Sequence, residues 1–195
     1  MARSVGLFGG TFDPVHNGHL AIAKAFLDSP HIDELWVLLT PYPPHKQNDQ
    51  QSHYKMRLNM LEAAFADFTK VKISTIENEL PKPSYTVQTV RYLKKEHPET
   101  TFYFCMGEDS LAQFHTWKHH EQILEECDLL VAHRPGESHD DVDPDILSKV
   151  HFVDHQPLEA ASSDIRKRKR EGISISGYVP EKVLAIIKKN QLYST

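Results

Sequence analysis

The stretch Gly9-Gly10-Thr11-Phe12-Asp13-Pro14-Val15-His16-Asn17-Gly18-His19 decides how the rest of the chain is read. Before it lies a short apolar run, Ser4 to Phe8. After it, Asn17 to Asp28 carries Leu20, Ala23, Phe26 and Leu27 as an apolar stripe at helical spacing. A strand, a glycine turn and a helix therefore follow one another directly. The glycines permit a tight turn and close approach to a bound group. The N–H groups of the following helix point back at that turn, which makes it an anion site. His16 and His19 are three apart at the helix start, so both imidazoles can face one side, and Gly18 between them leaves room for a bulky ligand. Two donors above a helix N-terminus suit a phosphate that gains negative charge. The loop lacks the Lys-Ser/Thr ending of a P-loop and the three-glycine spacing of a dinucleotide fingerprint.

Outward from this loop the pattern alternates. Strands are expected at Glu34 to Thr40, Val71 to Ile76, Thr101 to Met106, Asp128 to His133 and Val150 to Val153. Helices are expected at Tyr54 to Phe65, Thr86 to Lys95 and Glu121 to Glu126, with another capped by Ser163 and a last one opened by Pro180 in its first turn. Strands separated by helices predict an α/β fold: a Rossmann-like, doubly wound parallel sheet with right-handed crossovers in a single domain over 1–195. Ligands in such a fold sit beyond the carboxyl ends of the strands. The Pro41 to His53 and Pro135 to Asp143 segments read as functional loops.

Composition limits the function classes. The chain has 195 residues, 39% hydrophobic and 25% charged, as soluble domains do. A net charge of −5 argues against a general nucleic-acid binder. No apolar run approaches a membrane span, and the N-terminus does not read as a signal peptide, so a cytoplasmic location is expected. Cys105 and Cys127 lie in or beside apolar stretches and read as buried, reduced thiols. No heptad or apolar stripe announces an interface, which leaves a homo-oligomer open. His115, His119 and His120 permit a helical metal site, although the glutamate of a metalloprotease helix is missing. His45 and His53 read as loop residues.

Gly-Thr-Phe-Asp-Pro-Val-His-Asn-Gly-His resembles the signature of the HxGH nucleotidyltransferase superfamily. A second element of that superfamily is matched by Ser162-Ser163-Asp164-Ile165-Arg166, preceded by Ala160-Ala161 where Ile-Ser is usual. Further segments resemble one family, the bacterial nicotinate mononucleotide adenylyltransferases, over nearly the whole chain. They are Pro43-Pro44-His45-Lys46, Pro83 to Thr89, Gly107-Glu108-Asp109-Ser110, Trp117-Lys118, Arg134-Pro135-Gly136 and the ending from Val179-Pro180 to Leu192-Tyr193. Thr40 departs from the family, where many members carry Asn.

The resemblance implies an adenylyltransferase that joins ATP and nicotinate mononucleotide, giving the deamido dinucleotide and pyrophosphate. It implies catalytic roles for His16, His19 and Arg166. ATP would be held by Gly9, Gly10, Thr11, Phe12, Gly107, Asp109, Arg134 and Ser163, and the acceptor by Lys46, Tyr85, Thr86, Trp117 and Lys118. Mg²⁺ would travel with the triphosphate rather than in a protein cage. The residues themselves support several of these roles. A flat Trp117 suits a cationic pyridine ring, and N–H groups at Thr86 and Lys118 suit a carboxylate. Tyr85 could equally be a plain core aromatic, while the alternative for Trp117 is a half-buried packing residue and for Asp109 a charge at a helix start. A nicotinamide or phosphopantetheine acceptor, or a nucleotide-binding regulator without turnover, remains open on sequence.

Overall fold

The computed structural model describes residues 3–41, 52–133, 136, 138–158 and 160–194. In chain order the elements are β1 (Arg3–Gly10), α1 (Asn17–Asp28), β2 (Glu34–Leu39), α2 (Tyr54–Phe65), β3 (Val71–Ser74), α3 (Thr86–Glu96), β4 (Thr100–Gly107), α4 (Glu108–Ala112), α5 (His120–Glu126), β5 (Asp128–His133), α6 (Pro144–Leu147), β6 (Val150–Asp154), α7 (Ser162–Arg170) and α8 (Glu181–Lys189). Single 3-10 turns lie at Ile76–Asn78 and Phe114–Thr116.

The six strands form one sheet in the order β3-β2-β1-β4-β5-β6, and every pairing is parallel. The chain builds outward from β1 to β3, then returns to the other side of β1 and builds outward to β6. The switch point between β1 and β4 opens a crevice at their carboxyl ends, where this architecture binds ligands. Gly10 is level with Leu39 of β2, and Phe8 with Cys105 of β4.

Side-chain alternation explains why both faces need helices. On β2, Leu35, Val37 and Leu39 join one core with Phe26, Met60, Leu61, Val183 and Ile187, from α1, α2 and α8. Trp36 and Leu38 point the other way, toward Val87, Val90 and Leu93 of α3 and Ile123 of α5. Gly6 of β1 cannot carry a side chain, because a Cβ there would meet the Cys105 sulfur at 2.7 Å.

Several boundaries differ from the sequence reading. β1 continues through Gly9 and Gly10 instead of stopping at Phe8, because their backbones stay in register with Leu38 and Leu39. β2 ends at Leu39 and β3 at Ser74, where the 3-10 turn takes over. The α6 helix was missed. It is capped by Asp143, whose carboxylate accepts the Asp145 N–H at 2.8 Å, and has Pro144 in its first turn. Pro180 caps α8 from outside rather than opening it.

Candidate active site

The β1–α1 loop lies at the switch point. Phe12 has φ 48°, a conformation costly for a residue with a side chain, and its ring is buried against Phe8 and His19. Only the backbone of Phe12 is therefore offered to a ligand, a narrower role than the ATP contact expected of it. His16 caps α1, and His19 stands at its third position. The two imidazoles stack with centroids 3.7 Å apart.

The backbone N–H of His16 donates to Nδ1 of His19 at 3.2 Å. His19 thus takes the place that Glu or Gln has in a capping box. With Nδ1 accepting, a neutral His19 carries its proton on Nε2, which makes Nε2 the donor. His16 is buried, and its Nδ1 has no partner among the described residues. Burial lowers its pKa from 6.5 to about 4, so the ring is neutral at pH 7. Gly18 makes room for this ring: a Cβ there would meet His16 Nδ1 at 3.0 Å and Cε1 at 3.1 Å.

Helix α7 docks on the same loop. Ser162 donates its hydroxyl to the Pro14 carbonyl at 3.0 Å, and Arg166 donates to the Asp13 carbonyl at 2.8 Å. The N-terminal ends of α1 and α7 consequently flank one loop, and both helix dipoles favour an anion there. Ser163 is not the cap that the sequence suggested. Ala161 holds that position without a side-chain bond, and Ser163 sits exposed in the first turn. One N–H of Arg166 is spent on the Asp13 carbonyl, so this side chain holds the loop.

Three charged side chains are buried in and around this site, Arg57, Asp13 and Glu77, and the roles of Arg57 and Glu77 were not singled out from sequence. Arg57 of α2 is 2% exposed. Its guanidinium donates to the carbonyls of Thr11 at 2.8 Å, Thr40 at 2.9 Å, Pro41 at 3.2 Å and Ser52 at 3.2 Å. One side chain thereby joins the β1–α1 loop, the end of β2 and the start of α2. Asp13 is also buried, accepting from the Tyr193 hydroxyl and, at 3.0 Å, from the Ser52 N–H. Burial and the Asp13 carboxylate push the Tyr193 pKa well up, which keeps its phenol protonated as the donor.

Glu77 is the third buried charge. Ser84 donates to it at 3.1 Å and Thr89 at 3.3 Å, and the Thr40 hydroxyl bonds it too. Burial raises its pKa while these hydroxyls oppose the shift. Thr40 thus has a partner of its own, and through Glu77 the end of β2 is linked to Ser84 and to Thr89 of α3.

The remaining expected residues form a second group across β4. Tyr85 caps α3, and Thr86 is its first residue. Gln88 closes the cap by accepting the Tyr85 N–H at 3.1 Å. Lys118 Nζ lies 4.3 Å from the Tyr85 ring centroid. Trp117 is half-buried and packs edge-on against Phe104, with centroids 5.6 Å apart. It is a packing residue that still presents part of its ring. Lys118 precedes α5 by two residues and so does not open a helix. Gly107 caps α4, which places exposed Asp109 in its first turn. Asp109 joins Ala160, Ala161, Asp164 and Arg168 in lining a cleft of about 690 Å³.

Lys46, Arg134 and His45 lie outside the described residues. His115, His119 and His120 do not share a helix face, which removes the metal site read from their spacing. His115 is in a 3-10 turn, His119 has a left-handed backbone, and only His120 is helical. His53 is exposed and caps α2. Cys105 and Cys127 are free, buried thiols, with Cys127 pushed up to about 12.

The chain matches the cytidylyltransferase-like family model over residues 7–168. It is 38% identical to a "Probable nicotinate-nucleotide adenylyltransferase" of Flavobacterium johnsoniae, an alignment covering 97% of this chain and 98% of that one. It is 40% identical to a protein of the same name from Exiguobacterium sibiricum, covering 98% and 99%. Its fold is similar to that of Plasmodium falciparum nicotinic acid mononucleotide adenylyltransferase complexed with NaAD. The TM-score is 0.80 at 21% identity, over 98% of this chain and 97% of that one. No helix among the described residues is long and apolar enough to cross a membrane.

Proposed function

Because the chain belongs to the nicotinate-nucleotide adenylyltransferases, within the cytidylyltransferase-like family, we propose how this site joins ATP to nicotinate mononucleotide. The products are nicotinate adenine dinucleotide and pyrophosphate, a step of NAD biosynthesis. The observation that carries the reading is the stacked His16–His19 pair on a loop flanked by two helix N-termini.

An oxygen of the acceptor's 5′-phosphate attacks the α-phosphorus of ATP in line. The bond from that phosphorus to the β-phosphate bridging oxygen breaks, and pyrophosphate leaves with the electron pair. The attacking phosphate is already ionised near neutral pH, so the protein supplies position and charge rather than a strong base. Nε2–H of His19 donates to the α- and β-phosphate oxygens. His16 is neutral while the site holds no anion, and polyphosphate charge favours its protonated, donating form. Gly9, Gly10 and Thr11 offer backbone to the triphosphate, and Arg166 and Ser163 meet its far end.

Asp109 takes ribose hydroxyls. Tyr85, Thr86, Trp117 and Lys118 receive the pyridine ring and its carboxylate, with Glu77 holding the Ser84 to Thr89 segment in place. Lys46 meets the acceptor phosphate and Arg134 the adenine.

Mg²⁺ enters with ATP and neutralises charge on the triphosphate. A substrate-held ion is supported by the loop's own acid, since the Asp13 carboxylate is taken by Tyr193 and Ser52. We place the reaction in the cytoplasm, on the support of two free buried thiols.

The test is pyrophosphate release with ATP and Mg²⁺, run with nicotinate mononucleotide, nicotinamide mononucleotide and phosphopantetheine in parallel. A preference for the nicotinate acceptor supports the reading. Preference for nicotinamide moves the specificity, and turnover of phosphopantetheine overturns the roles of Tyr85 and Trp117.

A further inference from the structure

Away from the phosphate loop, three ligand-type side chains converge at the carboxyl edge of the sheet. Glu108 opens α4, His133 ends β5, and His139 lies in the segment that follows. Nδ1 of His133 is 2.7 Å, and Nε2 of His139 2.8 Å, from the same Glu108 oxygen, Oε1. Here both rings are aimed at one point, and all three ligand atoms fall within 4.8 Å of one another. The side chains of Glu108, His133 and His139 are sheltered, at 10%, 20% and 19% exposed. Phe152 packs on both imidazoles, with centroids 5.5 Å from His133 and 4.5 Å from His139. That ring forms an apolar wall and limits how far the imidazoles can turn.

We propose that Glu108, His133 and His139 bind one transition-metal ion of the zinc class. Two imidazoles and one carboxylate are a donor set for zinc or cobalt(II), whereas magnesium and calcium prefer all-oxygen sets. Zinc bonds of about 2.0–2.2 Å put tetrahedral ligand atoms roughly 3.3 Å apart. Opening each pair from 2.7 and 2.8 Å to that separation takes about half an ångström, within the reach of side-chain rotation. The ion would take the place of the ring N–H groups that face Glu108, each neutral imidazole shifting its proton to its other nitrogen by exchange with solvent. Three protein ligands leave a fourth position for water or an atom of a bound molecule. The ion would tie the start of α4 to the segment after β5, one residue from Asp109 and its cleft.

The test titrates metal-stripped full chain with Co²⁺, read by its visible absorption, and then displaces the Co²⁺ with Zn²⁺. Wild type, Glu108→Gln and His139→Gln are compared, with circular dichroism checking each fold. One equivalent of Co²⁺ with a tetrahedral spectrum, displaced by Zn²⁺ and bound at least about tenfold more weakly by each variant, is the expected result. No such equivalent in the folded wild type overturns the site. Equal binding by the variants also overturns it, assigning the metal to others of the 13 histidines. His139 lies outside the sheet, so its variant decides the matter if Glu108→Gln does not fold.

Discussion

The His16 backbone N–H and the His19 Nδ1 atom form one hydrogen bond of 3.2 Å that does two jobs. It satisfies a donor at the start of α1, and it fixes the His19 proton on Nε2. A cap that stabilises the helix thereby also sets which nitrogen of His19 can donate, the nitrogen that meets phosphate in the proposed mechanism.

Gly18→Ala tests how tightly the pair is packed. The new methyl would press on the His16 ring at 3.0–3.1 Å. Alanine also favours the helix by up to about 1 kcal/mol relative to glycine, which offsets part of the strain. Turnover is expected to fall about tenfold or more through misplacement of the imidazole, while the melting temperature changes little. Steady-state kinetics beside a thermal melt separates the two effects.

The His16 shift makes stability depend on pH. Its folded pKa of about 4 lies below the unfolded 6.5. The unfolded chain therefore binds the proton first, and the contribution is complete above pH 6.5. It is lost as pH falls from 6.5 toward 4, by roughly 3 kcal/mol at most. Glu77 has the opposite sign: its raised pKa favours the fold in acid, and that contribution fades as pH rises through the raised value. Urea unfolding of wild type and His16→Asn across pH 4–7 isolates the histidine part, which should vanish in the variant.

Arg57→Leu should destabilise the protein by about 3 kcal/mol or more, since buried carbonyls at Thr11, Thr40 and Pro41 lose their donor. Arg57→Lys retains the charge but cannot span four carbonyls, and should fall between the two. Chemical denaturation gives the order, and the KM for both substrates should rise in the lysine variant because the flanking loops lose their common anchor.

In-line attack without a covalent intermediate predicts inversion at the α-phosphorus. ATP chirally labelled with sulfur at that phosphorus should give a product of inverted configuration. Retention would require two displacements, and so a nucleophile on the protein.

The fold was legible because its signals are local. The Glu34 to Leu39 run has the character of a strand buried on both faces, and the His-Asn-Gly-His string stands where a strand passes into a helix. What escaped the sequence reading was tertiary. Arg57 shares its helical face with Met60, Leu61 and Ala64, and this spacing was a usable sign of a buried charge. The partners of Arg57 are backbone carbonyls, which carry no residue identity, so its role needed coordinates. Glu77 looked like an ordinary loop acid because Thr40, Ser84 and Thr89 meet it only after β2 and α3 pack. Ser163 seemed the natural cap of α7, but the helix begins earlier because Ser162 is drawn to the Pro14 carbonyl.

Adenylyl transfer at the His16–His19 loop is put to the test by His19→Ala. Pyrophosphate release with ATP, Mg²⁺ and nicotinate mononucleotide would be compared with wild type, with circular dichroism confirming the fold. Loss of a transition-state donor predicts a fall in turnover of at least about 100-fold. Near-normal turnover in the folded variant would contradict the account and move the chemistry away from this loop.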